Sequence, residues 1–145
     1  MKLQFTIVGL GQIGASIGMA LAKKSDLIER IGYDINPQVM RKAPKIGAVD
    51  KTSSNLRKVL QTSDVLLLAL PTDEMHPMME ELLPLMKPGA IFLDTALSKE
   101  MVTAWAEKLL PDNIDLSIVC YRSKFGVRDS LIYKSMTNIF IRWDF

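Results

Sequence analysis

The sequence predicts an α/β domain built on a doubly wound parallel sheet, and three observations predict it. Short apolar runs alternate regularly with amphipathic stretches of helical period. The runs are nearly continuous in apolar residues, as strands covered on both faces must be. The first run leads through a glycine cluster directly into a helical stretch. A chain of 145 residues has room for one domain, residues 1–145, around a single core.

The elements follow in order. FTIVGL (5–10) reads as the first strand. Residues 12–24 read as a helix, with Ile13, Ile17 and Leu21 spaced by four along its apolar face. RIGYD (30–34) is the second strand. Asn36-Pro37 opens a helix with a cap and a first-turn proline, and Pro44 and Gly47 cut it short. Ser53 or Ser54 is placed to cap a helix carrying Leu56, Val59 and Leu60. DVLLLAL (64–70) is the most apolar run and so a central strand. Met75, Met78, Met79, Leu82, Leu83 and Met86 form a helical stripe of core methionines and leucines. Pro77 sets the start of that helix near His76, and Pro84 kinks or ends it. AIFLD (90–94) is a strand, and Val102, Trp105, Ala106, Leu109 and Leu110 mark a helix that Pro111 stops. LSIVCY (116–121) and NIFIRW (138–143) read as further strands.

Composition excludes several classes of function. The net charge of +2 is too small to imply nucleic acid or a membrane surface as partner. What basic excess exists lies from Arg122 onward, where five Lys or Arg face two Asp. No run approaches the roughly 18 apolar residues of a membrane span. The N-terminus lacks the pattern of a signal peptide. Cys120 is the only cysteine and His76 the only histidine, so no intrachain disulfide and no Cys/His metal cluster is expected, and the cytoplasm is the expected home.

Gly9-Leu10-Gly11-Gln12-Ile13-Gly14 fits G-x-G-x-x-G at a strand-to-helix junction, the context that the dinucleotide-binding fingerprint requires. Gly9 permits the tight turn, Gly11 the approach of a pyrophosphate to bare backbone, and Gly14 close packing of helix on strand. Gly18 adds a second close-packing position one turn on. Amides near Gln12 and Ile13 face the phosphates with the positive end of the helix dipole behind them. Asp34 ends the second strand 20 residues after Gly14, placed to accept from the ribose hydroxyls of an adenosine. Its charge repels a 2′-phosphate and no arginine follows at Ile35 or Asn36, so NAD is expected ahead of NADP.

IVGLGQIGASIGMALAK, IGYDINP, LLLALPTDEM, LPLMKPGAIFLDTALSK and LLP, in that order, resemble the nucleotide-binding domain of the prephenate/arogenate dehydrogenase family. The resemblance covers residues 3 to about 118 and returns weakly over GVRDSLIYKSMT (126–137). It implies a Rossmann-like fold, NAD(P), and oxidative decarboxylation of prephenate or arogenate on the route to tyrosine. It also implies that Leu70, Pro71 and Thr72 lie along the cofactor, with Asp94-Thr95 near its nicotinamide end.

The chain departs from the family in three places. The family's motif after this strand places a serine where Leu97 stands, and leucine cannot hydrogen-bond a substrate hydroxyl. Ser98 is one place off and reads instead as the cap of the next helix. The family's catalytic histidine position holds Arg122, which cannot accept a proton, and Tyr121 beside it has an ordinary pKa of about 10. The helical domain that completes the family's substrate cleft and dimerises is not matched by these residues. The sequence therefore assigns no catalytic residue. Two readings stay open: part of an oxidoreductase not competent alone, or a non-catalytic dinucleotide-binding or sensing module. Self-association through exposed apolar surface is expected in either case.

Overall fold

The computed structural model describes residues 1–111 and 115–116. Six strands, β1 (Leu3–Val8), β2 (Ile28–Tyr33), β3 (Lys51–Thr52), β4 (Val65–Leu68), β5 (Ile91–Asp94) and β6 (Asp115–Leu116), form one sheet in the order β3-β2-β1-β4-β5-β6. Every pairing is parallel. This is the doubly wound Rossmann-like order, in which successive crossovers leave the two central strands in opposite directions. The expected fold class is the observed one.

Among the described residues five α-helices cover the faces: α1 (Gln12–Leu21), α2 (Pro37–Lys42), α3 (Leu56–Leu60), α4 (Thr72–Leu82) and α5 (Lys99–Leu109). One core cluster joins Phe5, Ile7, Val65 and Leu67 to Leu10, Ala15 and Leu21. The other joins Val8, Leu66, Leu68 and Phe92 to Met75, Met79, Leu82, Val102 and Ala106. The period-two alternation of β4 thus feeds both faces, which is why its sequence reads as one continuous apolar run. The methionine stripe is core, as expected.

Several boundaries differ from the sequence reading. The packed face of α1 is Gly14, Ala15, Gly18 and Leu21, while Ile13 is exposed. A Cβ on Gly14 would stand 1.9 Å from the Gly9 carbonyl oxygen, and one on Gly18 2.0 Å from that of Ala48. The helix is seated by the absence of side chains, and a search for apolar spacing misses such a face. The α-helix ends at Leu21, with Ala22–Lys24 a 3-10 turn.

Asn55, not Ser53 or Ser54, caps α3, accepting from Lys58 N at 3.1 Å. Helix α4 begins at Thr72, so His76 is inside it and Pro77 is interior. The helix tolerates the proline because Asp73, whose carbonyl loses its partner, lies with Pro77 on the exposed face. Strand β3 is only two residues long and too short for an apolar run to announce. Ser98 does occupy the N-cap position of α5, yet its side chain makes no capping bond. Most of the 116–121 strand, and all of the 138–143 strand with Tyr121 and Arg122, fall outside the described residues.

Candidate functional site

Parallel strands gather all their C-terminal ends on one side, and there the order reverses between β1 and β4. After Val8 the chain turns at Gly9, whose φ of +93° is a conformation L side chains rarely adopt. A Cβ at Gly9 would also meet the Ala69 carbonyl oxygen at 2.3 Å. Ala69 N donates to Val8 O at 2.8 Å, so the glycine turn and the start of Leu70-Pro71-Thr72 are locked together.

Gly11 is different in kind. It is the N-cap of α1, and a Cβ there would meet nothing within 4 Å. Of the five described α-helices, α1 alone has neither a capping side chain nor an acidic residue in its first turn. Asn36 caps α2 and Asn55 caps α3, while α4 carries Asp73 and Glu74, and α5 carries Glu100. The positive end of α1 is thus without a cap or an acid of its own helix, beside open space.

Asp34 is brought to the same place. Its Oδ2 accepts from Leu10 N at 2.9 Å and its Oδ1 from Asn36 N at 2.8 Å. The carboxylate therefore clasps the glycine turn to the end of β2. It is half-buried, and a carboxylate offers about four acceptor positions, so capacity is left over. Gln12 and Ile13 are exposed at the first turn of α1, Pro71 and Thr72 are exposed at the start of α4, and Leu70 is half-buried. Thr95 is held differently from these. It is buried, with its N–H donating to Leu68 O at 3.2 Å.

Two features escaped the sequence reading. A shallow, mostly apolar hollow of about 670 Å³ lies against Thr72, Asp73, His76, Pro77, Met101 and Trp105. His76 meets Trp105 edge-on with ring centres 4.6 Å apart. The second is Arg30, buried in β2, whose guanidinium donates to Gly18 O at 2.7 Å, Gly47 O at 2.8 Å and both oxygens of Asp50. The hydrogen bond from Arg30 holds the Asp50 carboxyl below its ordinary range, against the effect of burial. No sequence pattern flagged this pair, because a lone arginine in an apolar run carries no spacing signal. Among the described residues, no group of three His, Cys, Asp or Glu is placed to hold a metal ion, and no helix is long and apolar enough to cross a membrane.

Comparison with known proteins agrees with this geometry. Residues 17–120 match the family model described as prephenate dehydrogenase, nucleotide-binding domain. A prephenate dehydrogenase of Bacillus subtilis (strain 168) is 28% identical over 112 residues, which are 77% of this chain and 30% of that protein. The arogenate dehydrogenase of Synechocystis has a crystal structure that is 31% identical with a TM-score of 0.68, covering 74% of this chain and 37% of that one. The prephenate dehydrogenase of A. aeolicus, solved in complex with hydroxyphenyl propionate and NAD+, shares the fold at 24% identity and a TM-score of 0.69, over 79% and 40% of the two chains. The chain thus spans between three tenths and two fifths of the length of these relatives. By its sequence match, its sheet order and its glycine turn, it belongs to the family of prephenate dehydrogenase nucleotide-binding domains.

Proposed function

We propose that this domain binds NAD along the C-terminal edge of its sheet, as the nucleotide half of an enzyme that oxidises prephenate or arogenate. One observation carries the reading: the uncapped, acid-free first turn of α1 beside the open space at Gly11. The residues fit the group. Amides of Gly11, Gln12, Ile13 and Gly14 receive the pyrophosphate, and Gly9 and Gly14 keep that turn in place. The spare acceptor positions of Asp34 take the ribose hydroxyls, and its charge disfavours the 2′-phosphate of NADP. Leu70, Pro71 and Thr72 flank the far side of the switch point, with Thr95 beneath the nicotinamide end. The complex of the A. aeolicus relative with NAD+ supports this choice of nucleotide.

Bound NAD supplies a hydride acceptor; what this chain does is bind it, orient it and choose it over NADP. The domain, taken as residues 1–145, leaves the substrate half of the cleft to the helical part of such enzymes, and turnover is assigned to the two together. Leu97, 94% exposed where the family resemblance expects serine, favours a second reading as a non-catalytic dinucleotide-binding module. The exposed aliphatic residues suit self-association as a homo-oligomer, with the cytoplasm as the compartment and neither nucleic acid nor membrane as partner.

Calorimetric titration with NAD+ and with NADP+ tests the nucleotide. Saturable NAD+ binding, clearly tighter than NADP+, is expected, and binding of neither would overturn the proposal. Assay of prephenate and arogenate oxidation then separates the two readings, since a non-catalytic module binds NAD+ without turnover in any full-length context.

A further inference from the structure

The two faces of the sheet end in surfaces of opposite charge. Helices α4 and α5 together carry six acidic residues and two basic ones, in a chain whose net charge is +2. Four of the acids, Asp73, Glu74, Glu80 and Glu81, are exposed on α4, which has no lysine or arginine. Asp73, His76, Pro77 and Glu80 follow one another along one stripe of that helix, beside the hollow to which Met101 and Trp105 contribute from α5. Among the described residues no lysine or arginine pairs with any of the four acids.

The diagonal corner has the other sign. Lys23 and Lys24 follow α1, Arg41 and Lys42 end α2, and Lys45 stands in the turn after it. All five are exposed, and none makes an ion pair among the described residues. Asp26 is the one exposed acid between Ala22 and Gly47. Two exposed apolar side chains stand among these cations, Met19 on α1 and Ile46 beside Lys45. Gly18 seats α1 on Ala48, and Arg30 donates to both Gly18 O and Gly47 O, so helix and turn form one surface.

A hollow with an apolar floor and an acidic rim fits an apolar knob ringed by cations, and repels its own kind. This chain carries such a knob. Resting on the self-association proposed above, and independent of the NAD reading, we infer that the hollow between α4 and α5 receives the Met19–Ile46 corner of a second copy. Lysines of that corner meet Asp73 and Glu80, and their aliphatic stems lie on the Trp105 ring. Helices α1 and α2 pack on one face of the sheet, α4 and α5 on the other. Each helix starts at the ligand edge and ends at the opposite one, so hollow and corner point away from each other. The contact is therefore head-to-tail, and successive copies build a ring or an open chain.

Sedimentation velocity of the whole chain over a range of concentrations tests this. Association is expected at about 50 mM salt and should weaken about tenfold or more at about 500 mM. Glu80→Lys alters the rim of the hollow; Lys42→Glu with Lys45→Glu alters the corner. All three side chains are exposed, so thermal midpoints stay near the wild-type value. Each variant alone is expected to associate about tenfold more weakly. Mixed, the two should form a one-to-one complex that grows no further, because one intact hollow and one intact corner remain to meet. Loss in Glu80→Lys without loss in the corner variant would give the hollow to another basic segment and overturn the inference, as would a mixture that does not associate. Association indifferent to salt and to both variants would keep the homo-oligomer and overturn this contact. A wild-type chain that stays monomeric at every concentration would overturn both.

Discussion

The two ends of the sheet are finished in opposite ways. At the N-terminal end, side chains satisfy the backbone and each other. Gln4 N donates to Asp64 Oδ2 at 2.7 Å, Gln4 Nε2 to Val59 O at 2.9 Å, and the hydroxyls of Thr6 and Ser63 meet at 2.7 Å. Lys87 closes on Asp64, and Arg30 on Asp50. At the C-terminal end, glycines bring backbone against backbone, and the first turn of α1 is left to whatever arrives from solvent. Closed polar networks mark the end that holds the fold. Unpaired backbone donors beside empty space mark the end where the ligand is proposed to bind.

That contrast is most severely tested within the glycine turn itself. Gly14→Ala puts a Cβ 1.9 Å from the Gly9 carbonyl oxygen, a backbone atom that cannot move without moving the strand. It is expected to lower stability by at least about 2 kcal/mol and to abolish NAD+ binding, as read by urea denaturation and calorimetry. Gly11→Ala, three residues away, meets no protein atom, and Gly11 has an ordinary φ of −68°. Its denaturation midpoint should match wild type, while NAD+ affinity falls about tenfold or more. If Gly11→Ala binds NAD+ normally, the open space at this turn is not the phosphate site.

Asp34 gives a smaller and divided effect. Asp34→Ala leaves the N–H of buried Leu10 without its acceptor, costing about 1 kcal/mol of stability and most of the NAD+ affinity. Asp34→Asn keeps an acceptor for Leu10, so it should retain stability, weaken NAD+ severalfold and narrow the gap to NADP+. Equal behaviour of the two variants would mean that the clasp and the ribose contact are not separate tasks.

At the closed end the expected changes are smallest and never touch binding. Lys87→Met removes the partner of Asp64 at a half-exposed pair, worth less than about 1 kcal/mol. The carboxyls of Asp50 and Asp64 both titrate below their ordinary 3.8. For Asp50 the Arg30 hydrogen bond is the main cause; for Asp64, burial pushes upward and the Lys87 and Gln4 hydrogen bonds outweigh it. A group with a depressed folded pKa contributes stability above its unfolded value, lost as pH falls through the folded one. Stability should therefore drop below about pH 4, and Asp50→Asn should flatten part of that drop while NAD+ affinity at neutral pH stays put.

The sheet was legible because buried parallel strands are continuous apolar runs, and the glycine turn was legible because its spacing is fixed by geometry. The seated face of α1 was not, since periodicity tracks side chains and Gly14 and Gly18 have none. Pro77 points to a start of α4 near His76, whereas the helix begins at Thr72 and carries the proline on its exposed face. Arg30 and Asp50 are far enough apart in sequence that only the folded chain brings them together. Within the site, the positions of Gly9, Gly11, Gly14 and Asp34 came from pattern. That Asp34 holds Leu10, and that α1 alone among the five described helices has a bare start, only the folded chain shows.

The clasp between Asp34 and Leu10 has a bearing on how such a domain changes over evolutionary time. On the proposed reading one carboxylate selects the nucleotide and also fastens the turn that binds it, so a lineage could not abandon NAD for NADP by discarding the acid outright. Each step must keep an oxygen aimed at that amide, which makes asparagine the passable intermediate and alanine a dead end. Preference for the cofactor is inherited together with the shape of the loop.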